Sequence, residues 1–362
     1  MVTRNLPPVV GGMERLMQRT LSALCRVVPV DLIGPVGVRA WVPPTCRVLA
    51  ELPFGAAAFL PSATALTLRH AGRRRYQLCL GGSGLMAPAL WAARQQGACT
   101  AVYLHGTDLA YDQAVYQRLF VASLAKVPRV IANSRYTGAL AVAKGISASS
   151  IRVVNPGVDW PATIQRPPES SPHRRPTLLA VGRLVARKGI AEFVEQVMPR
   201  LLRQQPDLRL RVVGTEPPGS RQGQQARIQA AASRLDSPDA VQLLGAVDDQ
   251  ELHRLYAESD LHVLPALERR GDVEGFGMVV LEAAAHGLPT VAFDVGGIAD
   301  ALLPGAGGRL IAATDYPQMA EAIMLELRQA GPEQRQALIA ATAQRSWKNF
   351  DRQLLDALQL QV

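Results

Sequence analysis

Short, mostly apolar runs alternating with amphipathic stretches of roughly 10–15 residues leave this chain few ways to fold. In the first half the runs are VVPVDLIG, YQLCLGG, CTAVYLHG and RVIANS; in the second they are TLLAVGR, LRLRVVG, AVQLLG, LHVLPA and PTVAFD. A run that is apolar throughout, rather than at every second residue, suits a strand buried on both faces. Such strands sit in parallel sheets covered by helices. A chain of 362 residues exceeds one ordinary core. The stretch PATIQRPPESSPHRRP, residues 161–176, holds five prolines and few apolar residues, so it reads as a linker. The expected fold class is therefore α/β, with two doubly wound Rossmann-like domains facing each other across a cleft. Residues 1–160 form the first domain and residues 177–345 the second. Only Met1 to Arg4 precede the loop NLPPVVGG. Either the first strand is a stub or the natural start lies upstream.

Composition narrows the function. Hydrophobic residues make up 48% and charged residues 19%, a globular balance. No stretch approaches the roughly 18 apolar residues of a membrane span, and no apolar core of a secretory signal is visible at the start. The four cysteines, Cys25, Cys46, Cys79 and Cys99, form no CxxC pair and read as reduced core residues of a cytoplasmic protein. Residues 1–165 hold 17 Lys and Arg against 6 Asp and Glu, a formal +11, while the remainder is −2. A basic half beside a near-neutral one implies an anionic partner for that half. Aromatic residues are 5%, with no basic–aromatic interleaving, which argues against nucleic acid as that partner.

The chemistry concentrates at expected strand ends. EGFGMVVLE places Glu274 and Glu282 eight residues apart, with seven between them around a glycine-flanked Phe276. A helix opening near Phe276 or Gly277 leaves Glu274 in the preceding loop and Glu282 in the second turn. Free N–H groups of a helix start suit an anion, and carboxylates on either side suit hydroxyls. An anion joined to a polyol is a nucleotide sugar. In GRLVARKG, Arg183 and Lys188 follow the strand TLLAV and offer two cations for a diphosphate, or simply a solvated pair. In PVVGGMER, Gly11 and Gly12 precede a helix from about Met13, where bare backbone amides could approach a phosphate or make a plain turn.

His105 ends the run CTAVYL, a position suited to polar work in this fold class, and Asp108 either orients it or caps the next helix. Asn133 lies at another strand end, with Ser134 as a helix cap; Asp248 and Asp249 read as a further cap. NPGVD at 155–159 reads as a rigid turn, and Gly296 and Gly297 close one more strand-to-helix loop. The remaining histidines, His286 among them, read as structural. Gly82, Ser83, Gly84 and Ala87 spell G-x-G-x-x-A after YQLCL, a dinucleotide fingerprint on paper. Its acidic partner is missing: His105 and Gly106 hold that place.

Taken in order, PVVGGMER, HGTDL, ANSRYTG, NPGVD, GRLVARKG, GDVEGFGMVVLEAAAHGLPTVAF and DVGGIAD resemble the retaining glycosyltransferases of family 4, of GT-B fold. RRGDVEGFG and HGTDL look most like mannosyltransferase-type members acting on lipid-linked or polysaccharide acceptors. The resemblance implies that Glu274 holds donor-sugar hydroxyls, helped by the amides of Gly275, Phe276 and Gly277, and that Glu282 binds the ribose. It implies that Arg183, Lys188 and the Met278 and Val279 amides hold the diphosphate, approached also by Gly11 and Gly12. His105 is then placed by the reacting carbon. No metal and no cofactor are implied, and the donor is a GDP- or UDP-linked sugar.

The expected function is hexosyl transfer in lipopolysaccharide or exopolysaccharide synthesis, in the cytoplasm, with peripheral contact between the basic domain and the anionic inner face of the plasma membrane. A nucleotide-sugar epimerase of the same plan, or a non-catalytic sugar-nucleotide-binding protein, is the alternative. The resemblance also makes SWKNFDRQLLDAL, within residues 346–362, a helix that returns to the first domain.

Overall fold

A computed structural model describes residues 1–159, 175–217, 219–303, 305, 307–329 and 331–360. The chain divides into two compact units. One is Met1–Gly157 with Arg270–Phe276 and Trp347–Val362; the other is Val158–Arg269 with Gly277–Ser346. The stretch read as a linker lies, for residues 161–174, outside the described residues.

In the first unit the strands are β1 (Val30–Pro35), β2 (Cys46–Leu52), β3 (Leu78–Gly81), β4 (Cys99–Leu104), β5 (Arg129–Ala132) and β6 (Ile151–Val153). β1 pairs with β2, and β3 to β6 pair in sequence order, all parallel. The residues before the first loop join the two groups. Val2 bridges Ile33 of β1 and Gly81 of β3, its N–H donating to the Leu80 carbonyl at 2.9 Å. The short start of the chain is thus the central position of the sheet, and Val2 is 3% exposed because both faces are covered there. Chain order reverses between Val2 and β3, which makes that point the crevice of a doubly wound sheet.

The second unit repeats the plan with β7 (Thr177–Val181), β8 (Arg209–Val213), β9 (Val241–Gly245), β10 (Leu261–Leu264), β11 (Thr290–Phe293) and β12 (Arg309–Ile311). The order across its sheet is β12-β11-β10-β7-β8-β9, again parallel, with the reversal between β7 and β10. Each of the nine sequence runs contains a strand. The strands not read from sequence are β2, β6 and β12, all at sheet edges, and the Val2 stub.

The last helix, Trp347–Ala357, belongs to the first unit. Trp347, Phe350 and Leu354 recur at helical spacing and are all buried. Arg19 of the helix Gly12–Cys25 stacks over the Trp347 ring, and Arg26 pairs with Asp351. Arg129 at the start of β5 donates to the Leu358 carbonyl at 2.7 Å. Burying a phenylalanine and then deleting it leaves a cavity, so Phe350→Ala is expected to cost about 3–5 kcal/mol. Denaturant unfolding followed by tryptophan fluorescence measures this, and an unchanged midpoint would mean that the helix is not docked.

Candidate functional site

In the first unit the carboxyl ends of β3, β4 and β5 converge on His105. Its backbone N–H donates to Asp108 Oδ1 at 3.0 Å, and the Gly84 N–H donates to Asp108 Oδ2 at 2.8 Å. Asp108 therefore neither meets the imidazole nor caps a helix: it ties the glycine loop to the end of β4. The ring has its own anchor, with Nε2 lying 2.8 Å from the Gly82 carbonyl. A carbonyl can only accept, so Nε2 carries the proton, and in the neutral ring Nδ1 presents a lone pair. That Nδ1 is buried without a protein partner, in a side chain 3% exposed and stacked on Tyr103.

These contacts also account for the G-x-G-x-x-A pattern. A Cβ on Gly82 would overlap the Thr3 side chain, and the Gly84 amide is taken by Asp108. The glycines let the central strand and the loop approach, and the loop amide is spent inside the protein.

Asn133, at the end of β5, is a candidate that strand-end reasoning undervalued. It is 5% exposed, its Nδ2 donates to the His105 carbonyl at 3.4 Å, and its Oδ1 is buried without a partner. Two orphaned acceptors at adjacent strand ends are a rare and costly arrangement unless a ligand supplies donors. Neither orphan is visible in sequence, because each depends on where neighbouring backbones lie.

Residues 270–276 close over these strand ends. A Cβ on Gly275 would overlap the His105 carbonyl oxygen and lie 2.9 Å from Asn133 Nδ2. Only glycine lets the backbone approach so closely. Thr107 Oγ1 donates to the Val273 carbonyl at 3.2 Å, and Arg270 pairs with Asp112. Glu274, half-buried, is held one residue from that contact. Phe276 is 3% exposed.

Gly11 and Gly12 are in a different state from the one expected. Gly11 is the N-cap of the helix Gly12–Cys25, and Glu14, three residues on and 7% exposed, folds its carboxylate back to where a Gly11 Cβ would lie. An acidic side chain in the first turn answers the helix dipole from within. Gly12 is exposed.

In the second unit, the loops after neighbouring strands β7 and β10 are laced together. The Leu267 N–H donates to the Arg187 carbonyl at 2.7 Å, and a Cβ on Gly189 would overlap the Pro265 carbonyl. Arg183 is exposed at the end of β7, whereas Lys188 is buried, its Cε 3.3 Å from where a Gly182 Cβ would stand. The two cations read as a pair in sequence therefore have different surroundings.

Burial, reinforced by the positive charge of Lys188, holds the ring of His262 on β10 down to a pKa of about 3. The helix after β10 is Met278–Ala285, opened by Gly277 at φ 85° without a side-chain cap. Glu274 precedes it and Glu282 lies in its second turn, as the spacing implied. Glu282 is half-buried, and the Tyr256 hydroxyl donates to its Oε2 at 3.3 Å. Ser134 and Asp248 cap helices as read, accepting from the Thr137 and Glu251 amides.

Burial also depresses His286, to about 4 against an ordinary 6.5. Both histidines fold neutral, so their contribution is complete above pH 6.5 and is lost as pH falls toward 4. Each proton taken up on unfolding costs about 1.4 kcal/mol per pH unit in that window. Thermal unfolding from pH 7 to 4 should show that loss, and His262→Gln should shallow the slope. An identical slope in the variant would contradict neutral burial of His262.

The family model described as "Glycosyl transferases group 1" matches residues 162–345, and that described as "Glycosyltransferase Family 4" matches residues 10–160. A GDP-mannose-dependent alpha-(1-6)-phosphatidylinositol monomannoside mannosyltransferase of Mycolicibacterium smegmatis is 27% identical over 89% of this chain and 87% of its own. The amylovoran biosynthesis glycosyltransferase AmsK of Erwinia amylovora is 28% identical over 68% of this chain and 59% of its own. Several other curated relatives are matched over about half their length. The solved structure of Anabaena Alr3699/HepE in complex with UDP superposes with a TM-score of 0.80 at 19% identity, over 99% of both chains, which shows a shared fold. With a group 1 match across half its length, a family 4 match across most of the rest, and two doubly wound parallel sheets, the chain belongs to the group 1 glycosyltransferases, in family 4.

Proposed function

We propose that the protein transfers a hexose, with retention of configuration, from a UDP- or GDP-linked sugar to a lipid-linked or polysaccharide acceptor in lipopolysaccharide or exopolysaccharide synthesis. The carrying observation is Glu274 held one residue from the Gly275–His105 contact, beside the orphaned acceptors of His105 and Asn133. A carboxylate and two buried acceptors want hydroxyl donors, and a sugar supplies several.

In this reading Glu274 holds donor hydroxyls with the amides of Gly275, Phe276 and Gly277, and His105 lies by the reacting carbon. Glu282 takes the ribose hydroxyls. Arg183, Lys188 and the amides of Met278 and Val279 take the diphosphate. The acceptor oxygen bonds to the anomeric carbon on the face from which the diphosphate departs. The bond from that carbon to the phosphate oxygen breaks, and the leaving diphosphate takes the acceptor's proton. Cations and helix amides stabilise the charge as it grows. The Glu14 carboxylate already lies at Gly11, so of the two glycines the exposed Gly12 is the one read as approaching the phosphates.

The acceptor class draws support from the names of the mannosyltransferase and amylovoran relatives. The basic first unit is read as touching an anionic membrane. Eleven of the thirteen exposed large hydrophobic residues among the described residues, including Trp41, Trp91, Val115 and Leu119, lie in it. No helix among the described residues is long and apolar enough to cross a membrane.

Glu274→Ala should lower transfer by at least about a hundredfold, the scale on which lost transition-state contacts act, with an unchanged unfolding midpoint. Product formation from UDP- and GDP-sugars with lipid extracts measures it, and near-normal turnover would refute the site. Sedimentation with phosphatidylglycerol vesicles should fall steeply between 0.05 and 0.5 M salt, about a threefold change in screening length. Salt-insensitive or absent binding would remove the membrane role.

A further inference from the structure

Three aromatic rings in the second unit are stacked toward Glu282. Tyr256, on the helix Asp249–Glu258, is 1% exposed, and its ring lies 4.9 Å from that of His286 at 24°. His253, one turn earlier on the same helix, stacks on the other partner, 5.0 Å from His286 at 30°. The polar contacts fix the direction of every proton. His286 Nδ1 is 2.8 Å from the Glu282 carbonyl, which can only accept, so Nδ1 donates. In the neutral ring Nε2 is then an acceptor, and His253 Nδ1, 2.8 Å away, must donate to it. The last link is the Tyr256 hydroxyl on Glu282 Oε2. His286 thus holds the backbone of Glu282 and the ring of Tyr256 together, and Tyr256 holds the carboxylate.

A glutamate in the second turn of a helix has three side-chain torsions, and a ligand that needs one of its rotamers must restrict the others. Here the restriction is made in advance. We propose that Tyr256, seated by His286 and His253, is a positioning residue that orients the Glu282 carboxylate toward the vicinal diol of the donor's ribose. This rests on the assignment of Glu282 to the ribose. The hydroxyl matters, not the ring alone: without it the carboxylate loses this hold and the fully buried tyrosine site keeps its packing.

The test compares UDP and GDP with their 2′,3′-dideoxy counterparts by calorimetry, on the full chain and on Tyr256→Phe, His286→Ala and Glu282→Gln. The expected wild-type preference for the diol is about tenfold or more. Tyr256→Phe should narrow that preference several-fold, with dideoxynucleotide affinity unchanged. In transfer assays its KM for the donor should rise while kcat at saturation is kept, and His286→Ala should narrow the preference likewise. If Tyr256→Phe keeps the full preference, or weakens both nucleotides equally, the positioning role is wrong. If wild type does not discriminate, or Glu282→Gln discriminates as well as wild type, the ribose assignment itself fails.

Discussion

Backbone passes closer to backbone at the strand ends of this protein than any side chain would permit, and the placement of the functional groups follows from that. Gly214 lies against the Gly182 carbonyl, Gly189 against the Pro265 carbonyl and Gly275 against the His105 carbonyl. Each contact joins loops that leave different strands, and each would be broken by a single Cβ. The result is a set of strand-end loops braced against one another inside each unit. Glu274 and His105 inherit their positions from that bracing rather than from hydrogen bonds of their own side chains to each other.

The polar groups at these loops divide into two kinds. Some are wholly consumed by the fold. Asp108 takes two amides, the Gly84 amide among them, and Glu14 turns back over its own helix start. Others are left wanting: His105 Nδ1 and Asn133 Oδ1 are buried acceptors without donors. A sequence reading treats all of these as candidates of one class, since Asp, Glu, His and Asn at strand ends look alike. A spent group can offer a ligand nothing, whereas an orphaned acceptor at a strand end can still take a donor.

Most strands were legible because burial on both faces favours runs of apolar side chains, and nine runs came close to that pattern. Of the four edge strands only β9 was read, from AVQLLG. β6 and β12 span three residues each, and β2 is buried at only two of its seven residues, so none of these three carries the signal. Val2 was a sharper failure. It occupies the middle of its sheet, yet one bridging residue is too little pattern to read. The Glu274–Glu282 spacing, with Gly277 opening a helix, survived because it is local and turns only on helix geometry. The sequence does not show that Lys188 is buried, its stem against Gly182, while Arg183 is exposed, because that depends on three-dimensional neighbours.

Local rules of the chain, namely apolar runs, cap residues and glycine at tight turns, sufficed to set the α/β class and the two-domain plan, while the family was read from the resemblance of its ordered motifs. They act over a few residues and need no partner to be read. Which histidine keeps a lone pair, which glycine is obligatory and which aromatic ring steadies Glu282 were decided by tertiary structure alone. Those properties arise between residues such as Tyr256 and Glu282, or His105 and Gly275, that only folding brings within a few ångströms of each other.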